Sequence, residues 1–261
     1  MTARNIPDTR EIRPLKYGWK FSRGDFRGAE LPVFDDDGWD IVRVPHDWAI
    51  TGPFSPENDV QYTAISADGE KKERSHVGRT GGLPHVGKAW YRITVPLSEE
   101  DVSRRVWIEF DGVMSRSVVY CNGTKIGSWP YGYASFAFDL SDHVTAGENC
   151  IAVSVDNRPF ASRWYPGAGI FRNVRLVTAS NVHVARWGTY ITTPDIGDAA
   201  ARVTVRTSIE NHSGEGCEVE LETLITDHKG TPLSAVHDSR QIVTDGKYIQ
   251  DLVVDEPIVW S

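Results

Sequence analysis

Short runs of alternating apolar and polar residues, cut at close intervals by turn-forming dipeptides, leave this chain few options but stacked β-sheets. Ala89 to Val95 alternates, as does Arg105 to Phe110, and Ile151, Val153 and Val155 fall on one face of a third run. Successive side chains of a strand point to opposite sides, so each run offers one apolar face to a core. Asp111-Gly112, Asn122-Gly123 and Ala146-Gly147 punctuate the runs. Asn122-Gly123, set between Ser117–Cys121 and Lys125–Ser128, predicts a two-residue hairpin, because both turn positions favour positive φ. No long segment carries a helical period. The expected class is all-β, with a sandwich or jelly roll as architecture.

Two stretches depart from this rhythm. Ile50 to Lys88 is long, polar and poor in strand pattern; it includes the charge run Asp68 to Arg74 and reads as a loop closed by Gly81-Gly82-Leu83-Pro84-His85. Pro194 to Asp198 reads as a turn or hinge. Beyond it, Val203, Val205, Thr207 and Ile209 share one face, and Val219, Leu221, Thr223 and Ile225 share another, with Glu218, Glu220 and Glu222 turned to water. Asp227 to Gly230 turns the chain, and Tyr248 to Val254 adds a strand. This second part reads as an immunoglobulin-like sandwich. The expected division is 1–181 for the first domain and 182–261 for the second, ending at Trp260-Ser261 with no closing strand, as if the chain were part of a longer one.

A net charge of −8 disfavours nucleic acid, which needs clustered Lys and Arg, and disfavours an anionic membrane surface. No apolar run approaches the ~20 residues that span a bilayer. Met1 to Arg13 lacks the apolar segment of a signal peptide, and Cys121, Cys150 and Cys217 show no metal-ligand spacing; buried free thiols in the cytoplasm are the expectation. Nine Trp, nine Tyr and nine Phe could stack on sugar rings or plug sandwich cores. Asp35-Asp36-Asp37-Gly38 reads as a polar turn rather than a calcium loop. No Gly-x-Ser-x-Gly elbow surrounds Ser22, Ser115 or Ser135, and no phosphate-cradling glycine loop occurs. His46 and Asp47, adjacent on extended chain, point apart and form no relay; Pro45 to Trp48 reads as a lock at a strand end.

Several motifs in collinear order resemble family-2 glycoside hydrolases of the β-galactosidase and β-glucuronidase type: Gly38-Trp39 with Val44-Pro45-His46-Asp47-Trp48, Ala89-Trp90-Tyr91-Arg92, Phe110-Asp111-Gly112-Val113 with Cys121-Asn122-Gly123, Tyr131 to Phe136, Ser162 to Val174, and Pro257 to Ser261. The resemblance implies a jelly-roll sugar-binding domain, an immunoglobulin-like domain, and a following (β/α)₈ barrel of ~250 residues that these residues do not supply. It also implies a homo-oligomeric parent enzyme that hydrolyses terminal β-glycosides, most readily β-galactosides, with retention. β-Glucuronides and β-mannosides are the near alternatives. A stand-alone carbohydrate-binding module, or a purely structural pair of sandwiches, competes with this reading.

Retaining glycosidases need two carboxyl groups ~5–5.5 Å apart. The resemblance puts them on the barrel, so no catalytic residue is expected among these residues, and no metal or cofactor is implied. The chain's own contribution would be a pocket wall from Asn157 to Gly169. There Arg163 offers a planar fork of donors, and Trp164 and Tyr165 offer faces for a sugar ring; Asn157 and His85 are further candidates for substrate contact. The competing reading packs Trp164 and Tyr165 between domains and leaves His85 idle. Ser162 and Arg163 stand where some relatives carry an aspartate that bonds a sugar hydroxyl. The particular sugar therefore does not transfer.

Overall fold

A computed structural model describes residues 10–55, 57–58, 60–67, 69–77, 85–159 and 165–259. The chain separates into two units, one of residues 11–178 and one of residues 1–10 with 179–261. Among the described residues, nearly all of the regular secondary structure is strand, as the alternation requires.

The first unit is a sandwich of two sheets. Strands β1 (Arg10–Pro14), β2 (Trp19–Arg23), β3 (Asp40–Val42), β4 (Val60–Ala67), β5 (Glu70–Val77), β6 (Gly87–Leu97), β7 (Arg105–Phe110), β8 (Ser117–Cys121), β9 (Thr124–Trp129), β10 (Phe136–Asp139), β11 (Gly147–Asn157) and β12 (Val174–Ala179) follow in chain order. One sheet runs β1-β12-β7-β10, the other β3-β2-β6-β11-β8-β9. The core between them collects the inward residues of each strand: Trp19 and Phe21, Tyr91 and Ile93, Val106, Ile108 and Phe110, Ile151, Val153 and Val155. Full burial of each such side chain is worth about 1.5–3 kcal/mol. Among the described residues, Trp19, Trp48, Tyr91 and Phe110 are among the most buried large rings and act as core plugs.

Mid-strand, β6 is buried on both faces. Its outer residues Trp90 and Arg92 lie under residues 26–39, where Phe26, Phe34 and Trp39 pack with Ala29 and Trp90. Arg92 is almost completely enclosed; its guanidinium donates to Asp36 (2.6 Å) and to the carbonyls of Ala29 and Leu31. Asp36 accepts a second ion pair from Lys20 (2.6 Å). The aspartate cluster is thus a turn, and its middle member neutralises a buried cation.

The Asn122-Gly123 hairpin forms as expected. Both residues take positive φ (49° and 86°), and Cys121 pairs with Thr124. Cys121 and Cys150 are buried free thiols, and burial pushes the Cys121 thiol up to about 12. The expectation of a loop over Ile50 to Lys88 is corrected: β4 and β5 pair as an antiparallel hairpin from Val60↔Val77 to Ala67↔Glu70. Val60, Tyr62, Thr63 and Ile65 carry β-propensity, but the charges of Glu70 to Arg74 on the partner strand hid the alternation.

In the second unit β13 (Val182–Ile196), β14 (Ala200–Asn211) and β17 (Gly246–Asp255) form one sheet, and β15 (Cys217–Thr226) pairs with β16 (Pro232–Ile242) in another. Ile209, Ile242 and Tyr248 are buried, with Val219 and Leu221 packed on them, and β15 alternates throughout with its glutamates outward. The Tyr248 hydroxyl and the Gln250 amide donate to the Val219 and Leu221 carbonyls, tying the two sheets together. Pro194 to Ile196 is a correction: it continues β13, and the chain reverses at Gly197, whose N–H donates to Ala200 (2.9 Å). A turn is present, but it closes a hairpin within the second unit.

Removing the Asp36 carboxylate leaves Arg92 charged and enclosed, a loss of about 3 kcal/mol. Asp36→Ala should therefore lower the urea-unfolding free energy by that order, while Asp37→Ala, at an exposed position, should change it by less than about 0.5 kcal/mol. Equal effects would show that the Arg92 pair does not hold the 26–39 segment.

Candidate functional site

At one end of the first sandwich, several chain segments meet: the end of β2, the turn after β3, the start of β6, the end of β11 and residues 165–170. Backbone bonds knit them. His46 donates to Ile170 (2.7 Å) and Trp48 to Ala168 (3.3 Å), while Met114 and Gly169 exchange a bonded pair. Gly169 has φ of +93°, and a Cβ there would strike the Tyr91 hydroxyl and approach the Trp48 ring to 2.8 Å. Only glycine lets this segment lie on the aromatic floor.

Asp47 is the organising side chain. Its Oδ1 accepts from the backbone N–H of Ala49 (3.1 Å), capping the 3₁₀ turn Trp48–Thr51, and from Ala168 (2.9 Å). Its Oδ2 accepts from the Tyr165 hydroxyl (2.5 Å). With both oxygens engaged, the carboxylate positions its neighbours; it is not poised for proton transfer. His46 turns away, its Nδ1 2.9 Å from the Tyr91 hydroxyl, and burial lowers its proton affinity. The strand-end lock read from Pro45 to Trp48 is what forms.

Arg23 extends the arc. Its guanidinium donates to the Trp48 carbonyl and the Thr51 hydroxyl, each at 3.0 Å. His85, half-buried just before β6, feels that charge; burial first and Arg23 second hold its imidazole toward the neutral form. A neutral imidazole both donates and accepts, which suits a hydroxyl partner.

Of the residues singled out in the sequence, Tyr165 lies at this end with about a third of its surface exposed, and His85, half-buried just before β6, feels the Arg23 charge. Asn157 closes β11 opposite Gly87, fully buried, so it is not a surface contact in this conformation. Arg163 and Trp164 lie outside the described residues. Asp47 and Arg23 were not anticipated as parts of the site. The signal for Asp47 was its motif, but its partner Tyr165 is 118 residues away. The arrangement offers an aromatic face, a neutral imidazole and a guanidinium: groups that bind and orient a polyhydroxylated ligand.

Two family profiles match the chain: "Glycosyl hydrolases family 2, sugar binding domain" over residues 37–180 and "Glycosyl hydrolases family 2" over residues 182–261. A β-galactosidase of Bacteroides ovatus is 34% identical across 100% of this chain and 29% of its own length. A β-glucuronidase of Formosa agariphila is 30% identical over 81% of this chain and 22% of its own. Among solved structures, a family-2 glycosyl hydrolase from Bacteroides cellulosilyticus superposes with a TM-score of 0.82 at 29% identity, covering 96% of this chain and 31% of that one. The chain thus spans less than a third of the length of these relatives.

Asp47→Asn replaces an acceptor oxygen by a donor facing donors. It should cost about 2 kcal/mol and speed hydrogen exchange at the Ala168 amide. Unchanged exchange at that amide would show that the 165–170 segment holds its place without the carboxylate.

Proposed function

Because the chain belongs to glycoside hydrolase family 2, we propose that it is the non-catalytic front of a longer retaining glycosidase, whose sugar pocket it helps to wall. The observation that carries this reading is the end-of-sandwich arc, with Tyr165 held by Asp47 and Arg23 bonded to the Trp48 carbonyl and the Thr51 hydroxyl. The small share of each relative's length that the chain covers supports a catalytic barrel elsewhere in the same polypeptide. That barrel would supply the two carboxyl groups, and the longer protein would assemble as a homo-oligomer in the cytoplasm.

The proposed substrate is a terminal β-galactoside, with a β-glucuronide as the near alternative. The identity to a β-galactosidase across the whole chain favours the first; a β-glucuronidase among the relatives keeps the second in view. Tyr165 would face the ring, His85 would bond a hydroxyl, and Arg163 would bond vicinal hydroxyls or a carboxylate. None of these groups need change its interaction between ground state and transition state, so their share is uniform binding.

A second reading, carbohydrate binding by these residues alone, rests on a cleft of about 460 Å³ lined by Asp25, Trp90, Arg116, Tyr120 and Asp156, in which Trp90 and Tyr120 stack at 5.7 Å.

Steady-state kinetics of the longer protein test the first reading. Tyr165→Ala should raise KM for a chromogenic β-galactoside by about tenfold, near 1.4 kcal/mol, with kcat little changed. His85→Ala should act in the same direction more weakly. Unaltered KM in both variants would remove this arc from the pocket, and a higher kcat/KM on the β-glucuronide would reassign the substrate.

A further inference from the structure

In the second unit, the ladder between β13 and β14 puts His183 directly opposite Glu210. His212 lies two residues beyond Glu210, and its N–H donates to the Asn181 carbonyl (2.8 Å), so the ladder continues past the strand end. Residues opposed across a ladder, and residues two apart along a strand, share one face of a sheet. The three side chains consequently converge. Glu210 Oε2 is 3.3 Å from His183 Nε2 and 3.4 Å from His212 Nε2, and the imidazole rings stack at 5.8 Å. All three donor atoms lie within 4.8 Å of one another.

The protonation of His183 is set by its other nitrogen. Nδ1 is 2.7 Å from the Ser180 carbonyl, which can only accept, so Nδ1 carries a proton. In the neutral ring, Nε2 then presents a lone pair to a carboxylate oxygen. Such a pair, buried on the His183 side, calls for a positive centre: a second proton on the ring, or a metal ion. The Arg10 guanidinium is engaged by the Val184 carbonyl (2.6 Å), and the Glu210 carboxylate offsets its charge. An Nδ1–H bonded to a backbone carbonyl is the usual outer support of a metal-ligating histidine.

We propose that His183, Glu210 and His212 bind one divalent ion of the zinc type, clamping the start of β13 to the end of β14. Two imidazoles and a carboxylate suit zinc, whose bonds of about 2.0–2.1 Å put ligand atoms about 3.3–3.4 Å apart at tetrahedral edges. Both measured contacts to Glu210 match that spacing. The His183–His212 separation closes by rotation of His212, which keeps 36% of its side chain exposed, and that open side leaves a fourth position to water. The site would fasten structure in the second unit and is independent of any sugar chemistry.

The test titrates zinc chloride into metal-free 261-residue chain by calorimetry, beside thermal melts. One equivalent should bind saturably and, at a hundredfold excess over Kd, raise the melting temperature by about 5 °C. His212→Ala and Glu210→Gln, at partly exposed positions that spare the core, should each weaken binding by more than about 100-fold, beyond the loss of an outer partner. The double variant His228→Ala/His237→Ala should bind as the parent does. Absence of saturable binding, or binding untouched by His212→Ala and Glu210→Gln, would overturn the proposal; the first result would assign the His183–Glu210 contact to a proton alone.

Discussion

The carboxylate of Asp47 is the joint on which the candidate-site end of the first sandwich depends. It caps the turn that follows Pro45-His46 and accepts from residues 118 and 121 positions further along the chain. Charge-assisted bonds of this kind are stronger than neutral ones and are lost together when the acceptor goes. Through them a core motif reaches a surface loop. Trp48 is buried one residue from Asp47, Tyr165 is exposed on the far side of its carboxylate, and Gly169 lets the loop lie flat on the Tyr91 hydroxyl. The exposed ring is therefore presented from a hydrogen-bonded base, the kind of support a ligand-positioning group requires.

The same economy appears on the outer face of the six-stranded sheet. A sheet face open to water would expose Trp90; instead residues 26–39 fold over it, packed through Phe26, Phe34 and Trp39 and fastened by the enclosed Arg92 guanidinium. A salt bridge in such a place adds little net stability relative to apolar packing, but losing one partner is costly. Arg92 thus fixes where the cover segment goes. In the second unit the sheets are joined by apolar contact around Tyr248 and by side-chain bonds from Gln250.

Most of the fold was legible in the sequence because a half-buried strand writes its geometry as alternation. Asn122-Gly123, the face of Val203 to Ile209 and the outward glutamates of β15 were all read directly. The β4–β5 hairpin was not, since a run of charges on one strand erases the pattern that signals pairing. Nor was the strand running through Pro194, where a turn-forming residue sits inside β13. The candidate site was legible only in part. Tyr165 and His85 stood out by residue type and motif, but the Asp47–Tyr165 bond and the Arg92–Asp36 pair join residues far apart in the chain, and nothing local encodes them. The His183–Glu210–His212 cluster was hidden for the same reason: its spacing exists in the ladder register and not in the chain.

We propose that these residues shape a glycosidase pocket and leave the bond-breaking carboxyl pair to another part of the polypeptide. The most direct test is hydrolysis of a chromogenic β-galactoside by the purified 261-residue chain, measured beside the longer protein at equal molarity. Turnover by the longer protein and none above background by the chain alone is the expected result. Turnover by the chain itself would contradict it and would put an acid/base and nucleophile pair, ~5–5.5 Å apart, within these two sandwiches.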